Sequence, residues 1–514
     1  MDKTYSLNIN DYASQWEYNV DAESGVAYYA LNIVYCTKPV VPEVQHMIIY
    51  TPEAYMSKQA DGTVVLNKNG KITNSFGVTY TADTAPIIYT NKSGGYTGGE
   101  TQNVTIAYLE QGFVQVSAGA RGKETQDAEG HFIGQFPLVV VDLKAGIRFL
   151  KANKGIVPGN PDRIVSHGYS SGGAMSTMLG ASGNAKLFDK YLKEMGAAET
   201  SDDIFIALCY CPITNLDSSE AAFEWFQRAN TEYTLFNAMG GGTWKLGENA
   251  LGGTHEAKMV DMMYVWYVNY VRALGFDLGE DGRSGEYYTG LVECYERAFA
   301  EYMTRFDSLD YTQHESAEAY LEYLRQEKNA DSWLKWDKET KTAKIAGLDE
   351  WISSCAVRHK MCPSMDSYNY KSNENGAFVK PDGARVHFSP LVRDMLGKLA
   401  DEYPYAAELY EAYKKEVTPE AEAMLAVMSP VNYIIRDGAE WTSTHAPYFR
   451  FRNGGNDADH GFPAAWLTHN VLLSRTDVTS EIAIVWERPH CAAEYDDQDL
   501  FAYINDVMAK TETK

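Results

Sequence analysis

The most constraining feature of this chain is the segment 168–173, which reads Gly-Tyr-Ser-Ser-Gly-Gly. It contains the pattern G-x-S-x-G with Ser170 at its centre, which lets a strand turn sharply into a helix and lifts the serine side chain out of the backbone. The flanking residues fit this geometry, because 163–166 predicts a buried strand and 174–179 predicts a helix. We interpret Ser170 as a nucleophile. The alternative is a glycine-rich connection from strand to helix without chemistry.

Strand and helix patterns alternate over the first part of the chain, as in an open α/β sheet. Strands are predicted over 45–50, 85–89, 113–118, 163–166 and 204–212, and a crossover helix over 136–150. From about residue 220 to 430 the pattern is mainly helical, over 256–271, 290–304, 317–327 and 390–415. After the short apolar, strand-like run 430–435, strand patterns return at 448–452 and 481–486. The sequence therefore predicts an α/β core, residues 1–220 and 431–514, with an inserted helical domain over 221–430.

The charge balance limits the partners of the chain. Its net charge of −25 and the lack of a polybasic cluster argue against nucleic acid and anionic membrane as partners. No apolar run approaches the roughly 20 residues of a membrane span. The N-terminal residues do not read as a signal peptide, so we expect a cytoplasmic protein unless a signal was removed.

The seven cysteines are scattered and fit reduced thiols, and no Cys/His cluster has zinc spacing, so neither a metal nor a cofactor is expected.

A serine nucleophile needs a base and a carboxylate that orients the base. His490 follows the predicted strand 481–486, and the loop after 448–452 contains Asp457 and Asp459. This is the order serine, acid, histidine of an α/β-hydrolase. We assign His490 as the base and Asp457 as its orienting group, although spacing alone does not separate Asp457 from Asp459.

Other readings of these residues stay open at this point. His460 could be the base if the order were unusual, whereas His167 is expected to be packed structurally. The loop 453–461 could supply oxygen ligands to calcium, but it has no glutamate at loop position 12.

The oxyanion of the tetrahedral intermediate needs N–H donors, for which we expect the backbone N–H of Ser171 and that of Gly94 or Gly95. The glycine-rich loop 91–99 could instead be a plain turn.

Several motifs in one order resemble the bacterial tannases, or tannin acylhydrolases, of the α/β-hydrolase superfamily. These motifs are 168–173, 180–184, 201–205, 210–213, 450–454, 457–459 and Pro489-His490 ahead of Tyr495-Asp496. The resemblance implies an α/β-hydrolase fold with a large, mainly helical lid inserted in the core domain. It also places Asp457 in the triad and implies that the N–H groups of Gly95 and Ser171 form the oxyanion hole.

The same resemblance implies which residues recognise the substrate. In the lid, Lys360 with Pro363 close after it and Glu374 match the family's galloyl-binding positions, and Asp459 is then free to bind substrate. Carboxylates accept hydrogen bonds from phenolic hydroxyls, and an ammonium group donates one to a phenolic oxygen. Tyr169, before the nucleophile, departs from the smaller residues usual there. It also makes the fungal group, which joins cysteines beside Ser and His by a disulfide, a poor match.

The expected function is that of a serine esterase, acting without a cofactor, that hydrolyses galloyl esters of tannins and simple gallate esters and releases gallic acid. The alternatives are a feruloyl or general aryl carboxylesterase on the same scaffold and a catalytically silent protein that binds a phenolic ligand. The expected partner is a small phenolic ester, and the sequence does not indicate an oligomeric state.

Overall fold

The computed structural model describes residues 5–99, 102–235, 240–459 and 462–512 of the chain. The strands within these residues are β1 Glu17–Val20, β2 Ala27–Val34, β3 His46–Pro52, β4 Met56–Lys58, β5 Val64–Leu66, β6 Lys71–Thr73, β7 Thr79–Thr81, β8 Pro86–Asn91, β9 Val114–Ala118, β10 Asn160–Tyr169, β11 Ile206–Tyr210, β12 Glu232–Thr234, β13 Thr243–Lys245, β14 Leu334–Asp337, β15 Thr342–Ile345, β16 Tyr448–Gly454 and β17 Thr479–Val485. The α-helices are α1 Ile106–Glu110, α2 Leu138–Ala152, α3 Ser171–Ala181, α4 Asp189–Glu194, α5 Ser219–Gln227, α6 Glu256–Ala273, α7 Glu286–Arg305, α8 Ala317–Lys328, α9 Leu348–Ser354, α10 Asn373–Ala377, α11 Pro390–Leu399, α12 Pro404–Glu416, α13 Pro419–Val427, α14 Asn432–Ile435, α15 Phe462–Arg475 and α16 Asp497–Glu512.

One sheet of nine strands organises the fold, in the order β1-β2-β3-β9-β8-β10-β11-β16-β17. The pairs from β1 to β9 are antiparallel, and all pairs from β9 to β17 are parallel. Every residue of β8, β9 and β11 is buried, as expected for parallel strands covered on both faces. The predicted α/β-hydrolase fold class is confirmed. The strands β1 and β2 at the antiparallel end were not among those predicted.

Two helical details differ from the sequence prediction. The run 430–435, read as strand-like, ends in the short helix α14. The single helical stretch predicted over 390–415 consists of two helices, α11 and α12. The break lies at Pro404, which begins α12. The preceding Tyr403 is extended, as residues before proline prefer, with φ −124° and ψ 109°.

Helices α5 to α14 and the short hairpins β12–β13 and β14–β15 lie between β11 and β16 in the chain. Part of this region packs with the sheet, because Met365, Phe378 and Phe388 belong to the hydrophobic cluster that contains the central strands. Two backbone hydrogen bonds also join it to the core, from Phe136 N–H to the Ala377 carbonyl and from Phe132 N–H to the Pro381 carbonyl, both 2.9 Å long. We call residues 358–388 the lid strap. In the described part of the chain, no helix has the length and apolarity that a membrane span requires.

Candidate active site

Ser170 occupies a strained turn between β10 and α3. Its backbone has φ 58° and ψ −126°, a conformation that costs energy in a residue other than glycine. The glycine at 168 is required by close packing, because a Cβ there would lie 2.4 Å from the Gly172 carbonyl oxygen and 2.6 Å from Asn91 Nδ2. The sharp turn between a buried strand and a buried helix is therefore built as the sequence pattern predicts.

The three predicted triad residues meet in one hydrogen-bonded line. His490 Nε2 lies 2.8 Å from Ser170 Oγ, and His490 Nδ1 lies 2.9 Å from Asp457 Oδ1. Asp457 follows β16 and His490 follows β17, so both reach the nucleophile from the carboxyl ends of parallel strands. The buried Asp457 Oδ1 also accepts the N–H of Asp459 at 2.9 Å, which holds the carboxylate in place. This arrangement can transfer a proton from Ser170 Oγ to His490.

The charge state of His490 depends on its neighbours. Burial lowers the pKa of His490, but the Asp457 carboxylate more than offsets this effect, and Asp459 adds to it. The pKa of His490 is therefore raised above its ordinary value. A general base must be neutral, so we expect the activity to require a higher pH than an ordinary histidine base would.

The Ser171 side chain joins the two segments that carry the predicted oxyanion donors. Gly95 follows β8 and has φ 59°, a conformation that favours glycine. The Ser171 hydroxyl donates to the Ser93 carbonyl at 2.7 Å and accepts the Tyr96 N–H at 3.0 Å. The Ser171 N–H is at the first position of α3, where amide groups have no partner within the helix. The glycine loop and the helix N-terminus are thus held in a fixed relation beside Ser170.

A cavity of about 290 Å³ opens onto Ser170. Its wall includes all three predicted substrate-binding residues, Lys360, Glu374 and Asp459. Residues that the sequence analysis did not name also line it: Ile213, His359, Ser364, Lys371, Ser372 and Asn373. The structure therefore brings the predicted nucleophile and the predicted recognition residues to one space.

The three predicted recognition residues carry charge to the wall of this cavity. Glu374 is only 5% exposed. Burial lowers the pKa of Lys360, but Glu374 and Asp459 outweigh it and the pKa is raised, so Lys360 stays an ammonium group. Asp459 Oδ2 lies 3.9 Å from His490 Nε2, close to the reacting atoms. A ligand with several hydroxyl groups would satisfy these charges.

A buried ion pair supports the segment that carries Lys360. Arg358 and Glu224 form two hydrogen bonds of 2.8 Å, and both side chains are fully buried. The remaining Arg358 Nε–H donates to the Lys360 carbonyl at 2.8 Å. The pair therefore fixes the backbone at Lys360 relative to α5.

A second carboxylate of α5 holds the next residues of the same segment. Glu220 accepts the backbone N–H groups of Ser364, Met365 and Asp366 at 2.7, 3.0 and 2.5 Å. Burial raises the pKa of Glu220 to about 7 although these hydrogen bonds lower it. The available sequence signal was the spacing of Glu220 and Glu224, two acids four residues apart in an otherwise apolar, aromatic helix.

The other candidate histidines and the possible metal-binding groups lie at different places in the structure. His167 is buried, with Nδ1 2.8 Å from the Tyr108 hydroxyl, and burial lowers its pKa to about 4, which fits a structural role. His460 lies outside the described residues. Among those described, two groups of side chains are close enough to hold a metal ion: Cys211, Asp457 and His490, which overlaps the triad, and the surface cluster Asp127, Glu129 and His131.

The chain is similar to a family model and to several solved structures of known proteins. A family model described as BD-FAE, an esterase-like family, matches residues 80–251. The Fusobacterium nucleatum tannase structure is 26% identical, with a TM-score of 0.76 over 98% of this chain and 100% of that chain. A Lactobacillus plantarum tannase structure gives 26% identity and a TM-score of 0.75 over 98% and 100%. A tannin acyl hydrolase in complex with ethyl gallate gives 25% and 0.74 over 96% and 97%.

No curated protein matches the chain in sequence. The structural likeness nevertheless extends over almost the whole length of the chain and of each of these tannases. The chain is a tannase-like carboxylic ester hydrolase with the α/β-hydrolase fold.

Proposed function

We propose that this protein hydrolyses galloyl esters, of tannins and of simple alcohols, through Ser170, His490 and Asp457. The observation that carries the proposal is the cavity in which Ser170 shares one wall with Lys360, Glu374 and Asp459. Gallate presents three adjacent hydroxyl groups opposite its ester. The ester carbonyl can then reach Ser170 while the hydroxyls meet the charged groups. Solved tannin acyl hydrolases of similar structure bind ethyl gallate and 3,4-dihydroxybenzoate, which supports this reading.

In the proposed mechanism, His490 takes the proton of Ser170 Oγ as this oxygen attacks the ester carbonyl. The N–H groups of Gly95 and Ser171 stabilise the developing oxyanion. The protonated His490 then gives its proton to the departing alcohol, which leaves a covalent galloyl-enzyme. Water, activated by His490, attacks this acyl-enzyme and releases gallic acid, and Asp457 orients the imidazole in both halves.

The main alternative is a feruloyl or general aryl carboxylesterase, which the match to the esterase-like BD-FAE model also allows. The buried carboxylate of Glu374 and the partly buried ammonium group of Lys360 favour the galloyl ester over the feruloyl ester. A site built to bind hydroxyl groups rejects analogues that leave its polar groups unpaired. A ferulate ring replaces one hydroxyl by a methoxy group, lacks another, and carries a longer linker to its ester.

The test compares the hydrolysis of methyl gallate, methyl ferulate and 4-nitrophenyl acetate by the wild type and by Ser170→Ala. We expect methyl gallate to have the highest kcat/KM, and Ser170→Ala to lower all three rates by at least about 10³-fold. A preference for ferulate would contradict the galloyl assignment. Equal activity of Ser170→Ala would contradict the proposed nucleophile, and an inactive wild type that binds gallate would favour the silent binding protein.

A further inference from the structure

Lys371 places an exposed positive charge on the wall of the catalytic cavity. It lies on the lid strap, three residues before the buried Glu374. Among the described residues, no carboxylate forms a salt bridge with Lys371. The cavity lining thus carries an exposed ammonium group on the same segment as the buried Glu374.

Two further cations lie around the same segment. Arg385 Nη1 donates to the carbonyl oxygens of Tyr370 and Ser372, at 3.2 and 3.3 Å, which are the two neighbours of Lys371 in the chain. A Cβ at position 376 would lie 2.8 Å from Lys123 Cδ and 3.6 Å from Arg385 Cζ, so both side chains pack on one glycine. Neither cation forms a salt bridge in the part of the chain that the structure describes. We call Lys123, Lys371 and Arg385 the cationic rim.

One member of the cationic rim, Lys123, is linked through Asn373 to the loop of the proposed oxyanion hole. Lys123 is 6% exposed, and its Nζ donates to Asn373 Oδ1 at 2.5 Å. The Asn373 amide in turn packs on Gly95, because a Cβ at Gly95 would lie 3.2 Å from Asn373 Nδ2. If the acyl ring extends inward to Glu374, the alcohol half of the ester points outward, toward the exposed Lys371.

The rest of the protein makes this rim unusual. The chain has 45 basic and 70 acidic residues, so an anion approaching its surface is on average repelled. Glu124 and Glu374 act on Lys123 electrostatically but form no salt bridge with it. The exposed Lys371 and Arg385 are therefore left without a salt bridge among the described residues, and the buried Lys123 adds its positive charge from behind them.

We propose that the cationic rim is a subsite for the alcohol half of the substrate and that it favours esters whose alcohol half carries a carboxylate. Lys371 meets that carboxylate directly, while Arg385 and Lys123 strengthen the positive field from behind it. The proposal rests on the proposed function for the identity of the acyl group but not for the charge preference of the alcohol half. Because Lys371 is exposed, the preference weakens as salt screens the charges.

The experiment uses two alcohol halves of the same shape, 4-hydroxybenzoate and 4-hydroxybenzamide, each joined to a galloyl and to an acetyl group. The ratio of kcat/KM for the carboxylate and the amide ester is measured for the wild type, Lys371→Met and Lys58→Met, at low and high sodium chloride. The chemical difference between the two leaving groups is the same in every variant, so changes in the ratio report the charge contact. Lys58 is an exposed lysine on β4 that does not line the cavity.

We expect the ratio to fall about three- to tenfold in Lys371→Met and to fall with salt in the wild type, as exposed charge contacts do. Lys58→Met should leave the ratio unchanged, because Lys58 does not line the cavity. A ratio that is the same in Lys371→Met and the wild type, or that does not respond to salt, would overturn the subsite. If only acetyl esters are cleaved but the ratio behaves as expected, the galloyl assignment fails and the subsite stands.

Discussion

The Ser171 hydroxyl donates a 2.7 Å hydrogen bond to the Ser93 carbonyl, across the gap between the elbow helix and the glycine loop after β8. The same oxygen accepts the Tyr96 N–H, so the loop is held at two points that flank Gly95. The backbone N–H of Ser171 is one proposed oxyanion donor, and its side chain positions the other. One residue thus has two separable tasks, and a substitution can remove the second while the first remains.

Ser171→Ala should lower kcat for methyl gallate about tenfold with little change in KM. The backbone N–H remains, but the loop that carries Gly95 loses its anchor, and oxyanion donors act mainly on the transition state. Steady-state kinetics measure the effect. Ser182→Ala is the matched control, because the Ser182 hydroxyl donates to the Met178 carbonyl at the other end of α3 and, among the described residues, has no other side-chain hydrogen bond. An equal loss in both variants would show that the helix, and not the loop contact, matters.

Asp457→Asn should move the acid limb of the pH profile of kcat/KM to lower pH. Asp457 raises the pKa of His490 above its ordinary value, and protonated His490 cannot act as a base. In the wild type, activity is therefore lost as the pH falls through this raised pKa, above about 6.5. The variant should titrate lower and be about 10⁴-fold slower. Rates measured from pH 4.5 to 10 test this; an acid limb at the same pH in both proteins would contradict it.

Glu374→Gln should lower kcat/KM for methyl gallate by about 100-fold and change that for 4-nitrophenyl acetate by less than about threefold. The buried carboxylate is proposed to accept phenolic hydroxyls, which only the gallate ester carries, and charged hydrogen bonds in buried sites are costly to lose. Glu339→Gln, an exposed lid residue, serves as the control. Equal losses on both esters would assign Glu374 to the structure of the lid strap instead of recognition.

Arg358→Met should destabilise the protein by about 3–5 kcal/mol, because it leaves the buried Glu224 charge without its partner. The double variant Arg358→Met/Glu224→Met should regain most of this loss, since the unpaired charge is removed as well. Urea unfolding followed by tryptophan fluorescence measures both. If the double variant is no more stable than the single one, the hydrogen bond from Arg358 to the Lys360 carbonyl, and not the ion pair, carries the effect.

The sequence was informative where the chemistry follows strand ends. The elbow pattern predicted the turn at Ser170, and the order of Asp457 and His490 predicted which strand ends meet it. Lys360 and Glu374 could be named only through family resemblance, because a lysine and a glutamate in a charged lid carry no local signal.

Other contacts could not be predicted from the sequence at all. Lys123 meets Asn373 across 250 residues of sequence, and Arg358 meets Glu224 across 134. Such pairs depend on how the lid strap packs on the core and on α5, which no local pattern encodes. The break at Pro404, in contrast, was visible in the sequence, and the single helix predicted over 390–415 was wrong because the proline was not weighed.

The backbone hydrogen bonds from Phe136 and Phe132 to the lid strap have a consequence for engineering. Met365, Phe378 and Phe388 share a hydrophobic cluster with the central strands. A chimera that exchanges residues 221–430 as a block between related enzymes would therefore also replace packing partners of the catalytic sheet. Transplanting substrate preference should work better with a smaller graft, in which the strap's side chains facing the sheet stay native and only the side chains lining the cavity are exchanged.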